Sequence, residues 1–188
     1  MPAERNSRLV RRISGLAVLV CAAAGWLSCT QRGLAQTSLE YAVKAAFLLN
    51  FTKFVEWPPS AFPGPNAPVA ICILGTNPFG QTLDEIVQGE QAGSRALIVR
   101  KLDHPPASQG CQVVFIAGSR KDVPKTLRSL GPGVLTVGEG ESFLREGGIV
   151  AFVIENRRVR FDINRTAAQN ADLKLSSQLL TVARTVEK

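Results

Sequence analysis

The chain has 188 residues, 45% of them hydrophobic, with a formal net charge of +7, four cysteines and one histidine. Such a length and apolar content suit a folded domain rather than a disordered or fibrous chain. One histidine leaves little from which to build Ser-His-Asp or Cys-His chemistry, and with so few cysteines a usual zinc site is not expected.

The first segment places Arg5, Arg8, Arg11 and Arg12 before an apolar run over 13–27, followed by Gly33-Leu34-Ala35. A basic region, an apolar region and a small-x-small site in that order describe a secretory signal. The run of 15 residues is short against the roughly 20 that span hydrocarbon, which disfavours a membrane anchor. Trp26-Leu27-Ser28 makes a poor lipobox before Cys29. Cleavage after Ala35 is expected, so that 1–35 is a signal peptide and 36–188 a single exported domain. Removing the segment's five arginines and one glutamate leaves 17 basic against 14 acidic residues. That balance gives no reason to invoke nucleic acid. Cys21 and Cys29 leave with the signal, and Cys72 and Cys111 remain. An even pair in an oxidising compartment favours a disulfide between two strands over two buried thiols, closing a loop of about 40 residues for roughly 4 kcal/mol.

Thr37-Ser38-Leu39-Glu40 has the pattern of a capping box at a helix start. Leu39, Val43, Phe47, Asn50, Phe51 and Phe54 then mark one helical face, widened by Tyr41, Ala45, Leu48 and Val55. Pro58 and Pro59 are expected to stop the helix. Trp57 at its exit reads as a lid on the core, with a role as an interface anchor as the alternative.

Strands are expected over 69–74, 95–102, 113–117 and 134–137, with helices over 82–89 and 123–131 between them. This alternation indicates α/β architecture: a mixed, largely parallel sheet flanked by helices. Three strands end in glycine, at Gly75, Gly118 and Gly138. With Thr76 and Ser119 they outline a candidate ligand crevice at the strand ends; the plainer reading is tight strand-to-helix turns. Gly138-Glu139-Gly140-Glu141 lacks the third glycine of a dinucleotide loop, and its carboxylates would repel a pyrophosphate. His104, before Pro105 and Pro106, reads as a solvated loop residue. Asp84-Glu85 and Glu139-x-Glu141 lack the ligand density of a calcium loop. No cofactor or metal is implied, and an enzyme is not expected.

Residues 149–164 read as a hairpin turning at Glu155-Asn156-Arg157. Val159, Phe161 and Ile163 are expected to face the core, and Arg158, Arg160 and Asp162 the solvent. These three and Asn164 form the candidate partner face, against the alternative of an ordinary solvated strand. A closing helix is expected over 176–186.

Taken together, EYAVKAAFLLNFTKFVEWP, ICILGTNPFG, CQVVFIAGS, VLTVGEGESF, GGIVAFVIENRRVRFDIN and ADLKLSSQLLTVAR resemble the YfiR family of exported bacterial proteins, in order along almost the whole mature chain. The resemblance implies a non-enzymatic periplasmic α/β domain that binds the periplasmic sensor domain of an inner-membrane diguanylate cyclase and holds it inactive, lowering cyclic-di-GMP and biofilm formation. Other implied partners are a different membrane receptor, such as a histidine kinase; a homodimer is compatible with this reading. A small-ligand sensor acting with such a receptor is the alternative. Cys72 and Cys111 match the family's sheet-linking pair, whereas a second pair that some members carry near 139–152 is absent here.

Overall fold

The structure, a computed structural model, describes residues 37–106, 110–118 and 122–188. It divides into a unit ending at Leu39 and a unit of Glu40–Lys188, and the second holds the sheets and the helices packed on them. The expected signal peptide, its cleavage after Ala35 and the crevice candidate Ser119 lie outside the described residues.

Helix α1 is described over 37–54. Its inward stripe consists of Lys44, Ala45, Leu48, Phe51 and Thr52, the three- and four-residue spacing that aligns side chains on one helical face. This corrects the expected face: Val43 is 37% exposed, Asn50 is exposed, and Phe47 and Phe54 are only half-buried. Apolar residues occupy most of the circumference, so periodicity alone does not fix which side turns inward. The prolines are not what ends α1. The chain first switches into a short strand, β1 (Val55–Glu56), paired antiparallel with β9 (Lys174–Leu175), and Ser176 N donates to Phe54 O at 3.0 Å. Pro59 opens a single 3-10 turn, Pro59–Ala61.

The main sheet holds β2 (Val69–Leu74), β3 (Gln91–Ala92), β4 (Arg95–Leu102), β5 (Val113–Ile116), β6 (Leu135–Glu139), β7 (Val150–Glu155), β8 (Arg158–Asn164) and β10 (Thr185–Glu187). Its order is β10-β8-β7-β6-β5-β2-β4-β3. From β4 through β2, β5 and β6 to β7 all neighbours are parallel. β3 and β8 run antiparallel to their partners, and β10 lies parallel to β8. The α/β fold with a mostly parallel sheet flanked by helices, ending in the hairpin, is therefore present. Central β2 is buried at every position, as a parallel strand covered on both faces must be. Ile71 and Ile73 join the core beneath α1, with Phe51, Phe115, Phe152 and Phe161 and with Leu83 and Val87 of α2 (Thr82–Val87). Ala70, Cys72 and Leu74 point to the other face, with Val114. Along that face α3 (Val123–Ser129) and α4 (Ser142–Arg145) bring Val123, Phe143 and Leu144 together with Ala151.

Two further expectations change. The closing helix is shorter than 176–186: α6 spans Ser177–Val182, with the Ser176 hydroxyl accepting from Leu179 N at 3.1 Å. Ala183 is already extended, and the chain leaves α6 to pair along β8 as β10. Gly138 does not follow a strand but lies within β6. A Cβ there would fall 2.4 Å from the Phe143 ring, and one at Gly148 would fall 2.1 Å from it. The two glycines thus form the slot for that ring. Gly75 and Gly118 do follow β2 and β5, at φ of 92° and 116°, where residues with a side chain are strained. Among the described residues no helix is long and apolar enough to cross a membrane.

Candidate functional site

The β7–β8 register pairs Glu155 with Arg158. Asn156 and Arg157 are left as a two-residue turn with φ of 50° and 60°, the positive values that suit the twist of a tight hairpin. At the base of the hairpin Phe152 faces Phe161, and the Phe161 ring meets Phe47 and Phe51 with centroids 5.2 and 5.1 Å apart. At the tip Ile154 is 52% exposed. Arg157, Arg158 and Arg160 are exposed and Val159 is half-buried. Among the described residues none of the three arginines forms an ion pair.

Asp162 does not share that exposure. Expected to face solvent beside Arg158 and Arg160, it is only 2% exposed, because Arg184 folds over it from the link between α6 and β10. Arg184 Nε donates to Asp162 Oδ1 at 2.8 Å, and its Nη2 donates to Asp162 Oδ2 and, at 2.8 Å, to Glu141 Oε1. Glu155 Oε1 stands 3.8 Å from the same guanidinium. The hydrogen bond to Asp162, then that to Glu141, holds Arg184 still more firmly protonated than an ordinary arginine. Asn164 is half-buried, its side chain accepting from Ala167 N at 2.8 Å to cap α5 (Arg165–Asn170). The partner-face candidates thus divide: Arg158 and Arg160 stay at the surface, joined by Arg157, while Asp162 and Asn164 have structural partners.

Trp57 packs against the main core, and its indole N–H donates to Gln112 O at 3.1 Å. Gln112 is the residue that sequence reasoning missed here. Fully buried, its side chain accepts from Ala70 N at 2.8 Å and donates to Ala61 O at 2.7 Å, tying the 3-10 turn to β2. Next to it, Cys111 is bonded to Cys72 with Cα atoms 5.8 Å apart. Cys111 precedes β5 rather than lying within it. The covalent link still joins β2 to the entry of its neighbour.

A second charged cluster sits where α1 passes β6. Lys44 is buried and donates to Glu40 and Glu139, with its Nζ 4.4 Å from the centroid of the Tyr41 ring. Tyr41 Oη donates to Glu139 Oε2 at 3.4 Å. Burial pulls the Lys44 ammonium down, but hydrogen bonds to Glu139 and Glu40 outweigh it, so its pKa stands above the lysine value. Burial, reinforced by the Glu139 charge, pushes the Tyr41 phenol up. The signal in the sequence was Glu40 four residues before Lys44, a spacing that pairs side chains on one helical face.

Of the crevice candidates, the structure brings Gly75 together with Ala117, the residue before Gly118. They line a shallow cleft of about 590 Å³ with Asp103, His104, Lys125 and Thr126. It lies beyond the carboxyl ends of β2, β4 and β5, where the strand order reverses, the usual ligand position in open α/β sheets. Thr76 is exposed and is not part of this lining; the space at Gly138 is taken by Phe143.

A family model described as YfiR/HmsC-like matches residues 41–184. No curated protein matches. Among solved structures, a conserved domain protein from Vibrio cholerae O1 biovar El Tor is similar, with 11% identity and a TM-score of 0.41, over 63% of this chain and 54% of that one. A Streptococcus pneumoniae ABC domain solved in complex with L-Trp is similar at 12% identity and a TM-score of 0.43, over 63% of this chain and 55% of its own. The chain thus spans about half the length of each of these structures.

Proposed function

The chain belongs to the YfiR/HmsC-like family, known as periplasmic regulators of cyclic-di-GMP signalling that bind a membrane partner, and from that membership we propose that this protein represses an inner-membrane diguanylate cyclase by binding its periplasmic part. In this reading the chain is exported, loses residues 1–35 and lowers cyclic-di-GMP and biofilm formation. The family is not one of enzymes, and the action is one of binding.

The observation that carries the proposal is the tip of the β7–β8 hairpin. Arg157, Arg158 and Arg160 are exposed there and form no ion pair among the described residues. Ile154, large, apolar and exposed, stands beside Val159 on the opposite face of the hairpin from Arg158 and Arg160. Grouped cations on one face of a hairpin tip, with an exposed large apolar side chain on the other, suit a protein partner better than plain solvation does. Repression requires that this face bind the inactive arrangement of the cyclase more tightly than the active one, since equal affinity for both shifts nothing. Deleting the gene is expected to raise cyclic-di-GMP in cells that carry the cyclase and to change nothing in cells that lack it. A rise independent of the cyclase overturns the proposal.

A second reading, ligand sensing on behalf of a membrane receptor such as a histidine kinase, is supported by the cleft at the ends of β2, β4 and β5.

A further inference from the structure

The outer edge of β8 is only partly covered. Asn164 N donates to Ile149 O at 2.8 Å, which fixes the alternation along the β7–β8 ladder. Asn164, Asp162, Arg160 and Arg158 direct their amides and carbonyls toward β7, and Ile163, Phe161 and Val159 direct theirs away from it. The bond from Arg184 N to Phe161 O, 2.8 Å long, agrees with this. β10 covers the outer edge only from Asp162 to Asn164, in the register Thr185↔Asp162, Val186↔Ile163 and Glu187↔Asn164. The Phe161 amide and both backbone groups of Val159 therefore have no strand partner among the described residues. A free edge of this kind accepts another extended chain.

The side chains beside it state what that chain carries. On one face of β8 stand Arg158 and Arg160, exposed and without an ion pair among the described residues, with Arg157 at the adjoining turn. Glu155, opposite Arg158 in register, has its carboxylate 3.8 Å from the Arg184 guanidinium. On the other face Val159 is half-buried beside its cross-strand neighbour, the exposed Ile154. We propose that the β8 edge at Arg158–Phe161 takes an extended segment of the membrane partner by strand addition, in which carboxylates opposite Arg158 and Arg160 alternate with an apolar side chain over Val159 and Ile154. β10 shows the arrangement in miniature, with Val186 beside Ile163. The proposal rests on the reading of the protein as one that binds a protein partner, and it names the chemistry of that partner's segment.

The test uses purified, oxidised protein and a blocked peptide, acetyl-Glu-Val-Glu-Val-Glu-amide, with backbone hydrogen exchange as the readout. Saturating peptide is expected to slow exchange at the Val159 and Phe161 amides by about tenfold or more, an effect that added salt weakens. The same peptide N-methylated on its bonding edge is expected to give no protection. Val159→Pro, which removes an outward amide and no β7 bond, is expected to abolish the effect on the Phe161 amide while keeping the native melting temperature within a few degrees. Unchanged exchange at both amides, or equal protection by acetyl-Lys-Val-Lys-Val-Lys-amide, overturns strand addition. Because no cyclase is present, failure here is separate from failure of the proposed repression, which the deletion experiment reads.

Discussion

The base and the tip of the β7–β8 hairpin share one alternating sequence pattern but meet different surroundings. At the base Phe161 is 1% exposed under Phe47 and Phe51 of α1; at the tip Val159, two residues earlier on the same face, is half-buried beside a largely exposed Ile154. On the opposite face Asp162 is covered by Arg184, while among the described residues Arg160 and Arg158 are exposed and have no ion-pair partner. The strand alone does not assign these roles. Coverage by α1 on one side, and by the link before β10 on the other, turns the base into core and leaves the tip as available surface.

The sharpest way to break the distinction is at the base. Phe161→Ala removes a fully buried ring from a cluster of four aromatic side chains, Phe47, Phe51, Phe152 and Phe161, and is expected to cost about 3–5 kcal/mol. Denaturant unfolding measures it; a loss below about 1 kcal/mol, the scale of a surface change, would show that the cluster adjusts around the hole. Next in size is the disulfide. Cys72 and Cys111 are separated by 39 positions, so Cys72→Ser with Cys111→Ser is expected to cost about 4 kcal/mol on the chain-entropy model. Urea midpoints of the oxidised wild type and the double variant check it. Reduction acts on β2 and β5, away from the hairpin tip, and is expected to lower stability without altering the tip's charge.

A smaller effect concerns pH. Lys44 and Tyr41 both have folded pKa values above their ordinary 10.5 and 10.0. The folded protein keeps these protons after the unfolded chain has begun to lose them. Their contribution is therefore complete below about pH 10 and falls as pH rises through the raised values. Lys44→Met is expected to make the alkaline decline in stability shallower, with little change in its slope between about pH 7 and 9. Unfolding midpoints across that range and up to about pH 11.5 read the effect, and identical alkaline slopes in the two proteins would contradict it.

The same comparison explains what was legible in the sequence. The strands at 69–74 and 95–102 and the hairpin at Glu155-Asn156-Arg157 followed from local patterns of apolar run, alternation and turn residue, which depend on neighbours in the chain. The Cys72–Cys111 pairing followed from the even count of cysteines left once the expected signal segment is set aside. The side of α1 that turns inward did not follow, because its inward lysine is held partly by Glu139, 95 residues away. Nor did the burial of Asp162, whose partner Arg184 lies 22 residues on, inside a segment that reads locally as helix. Gln112, a polar residue beside a cysteine, gave no local sign that it would link Ala61 to Ala70. Gly138 carried a misleading sign: glycine at a strand end commonly marks a turn, and here it admits the ring of Phe143. For the site, Arg158 and Arg160 were recognisable from alternation, but the separation of these from Asp162 and Asn164 required tertiary contacts.

The smallest structural effect belongs to the tip, where Arg158→Glu with Arg160→Glu is expected to change stability by no more than about 0.5 kcal/mol per site, as at other exposed positions. Its functional effect is expected to be large. The most direct measurement of the central claim is cyclic-di-GMP in a deletion strain that carries the cyclase, complemented with wild type or with this double variant at matched periplasmic protein levels. Wild type is expected to restore the low level and the double variant to leave it high. Full restoration by the double variant would contradict the assignment of the hairpin tip as the repressing surface.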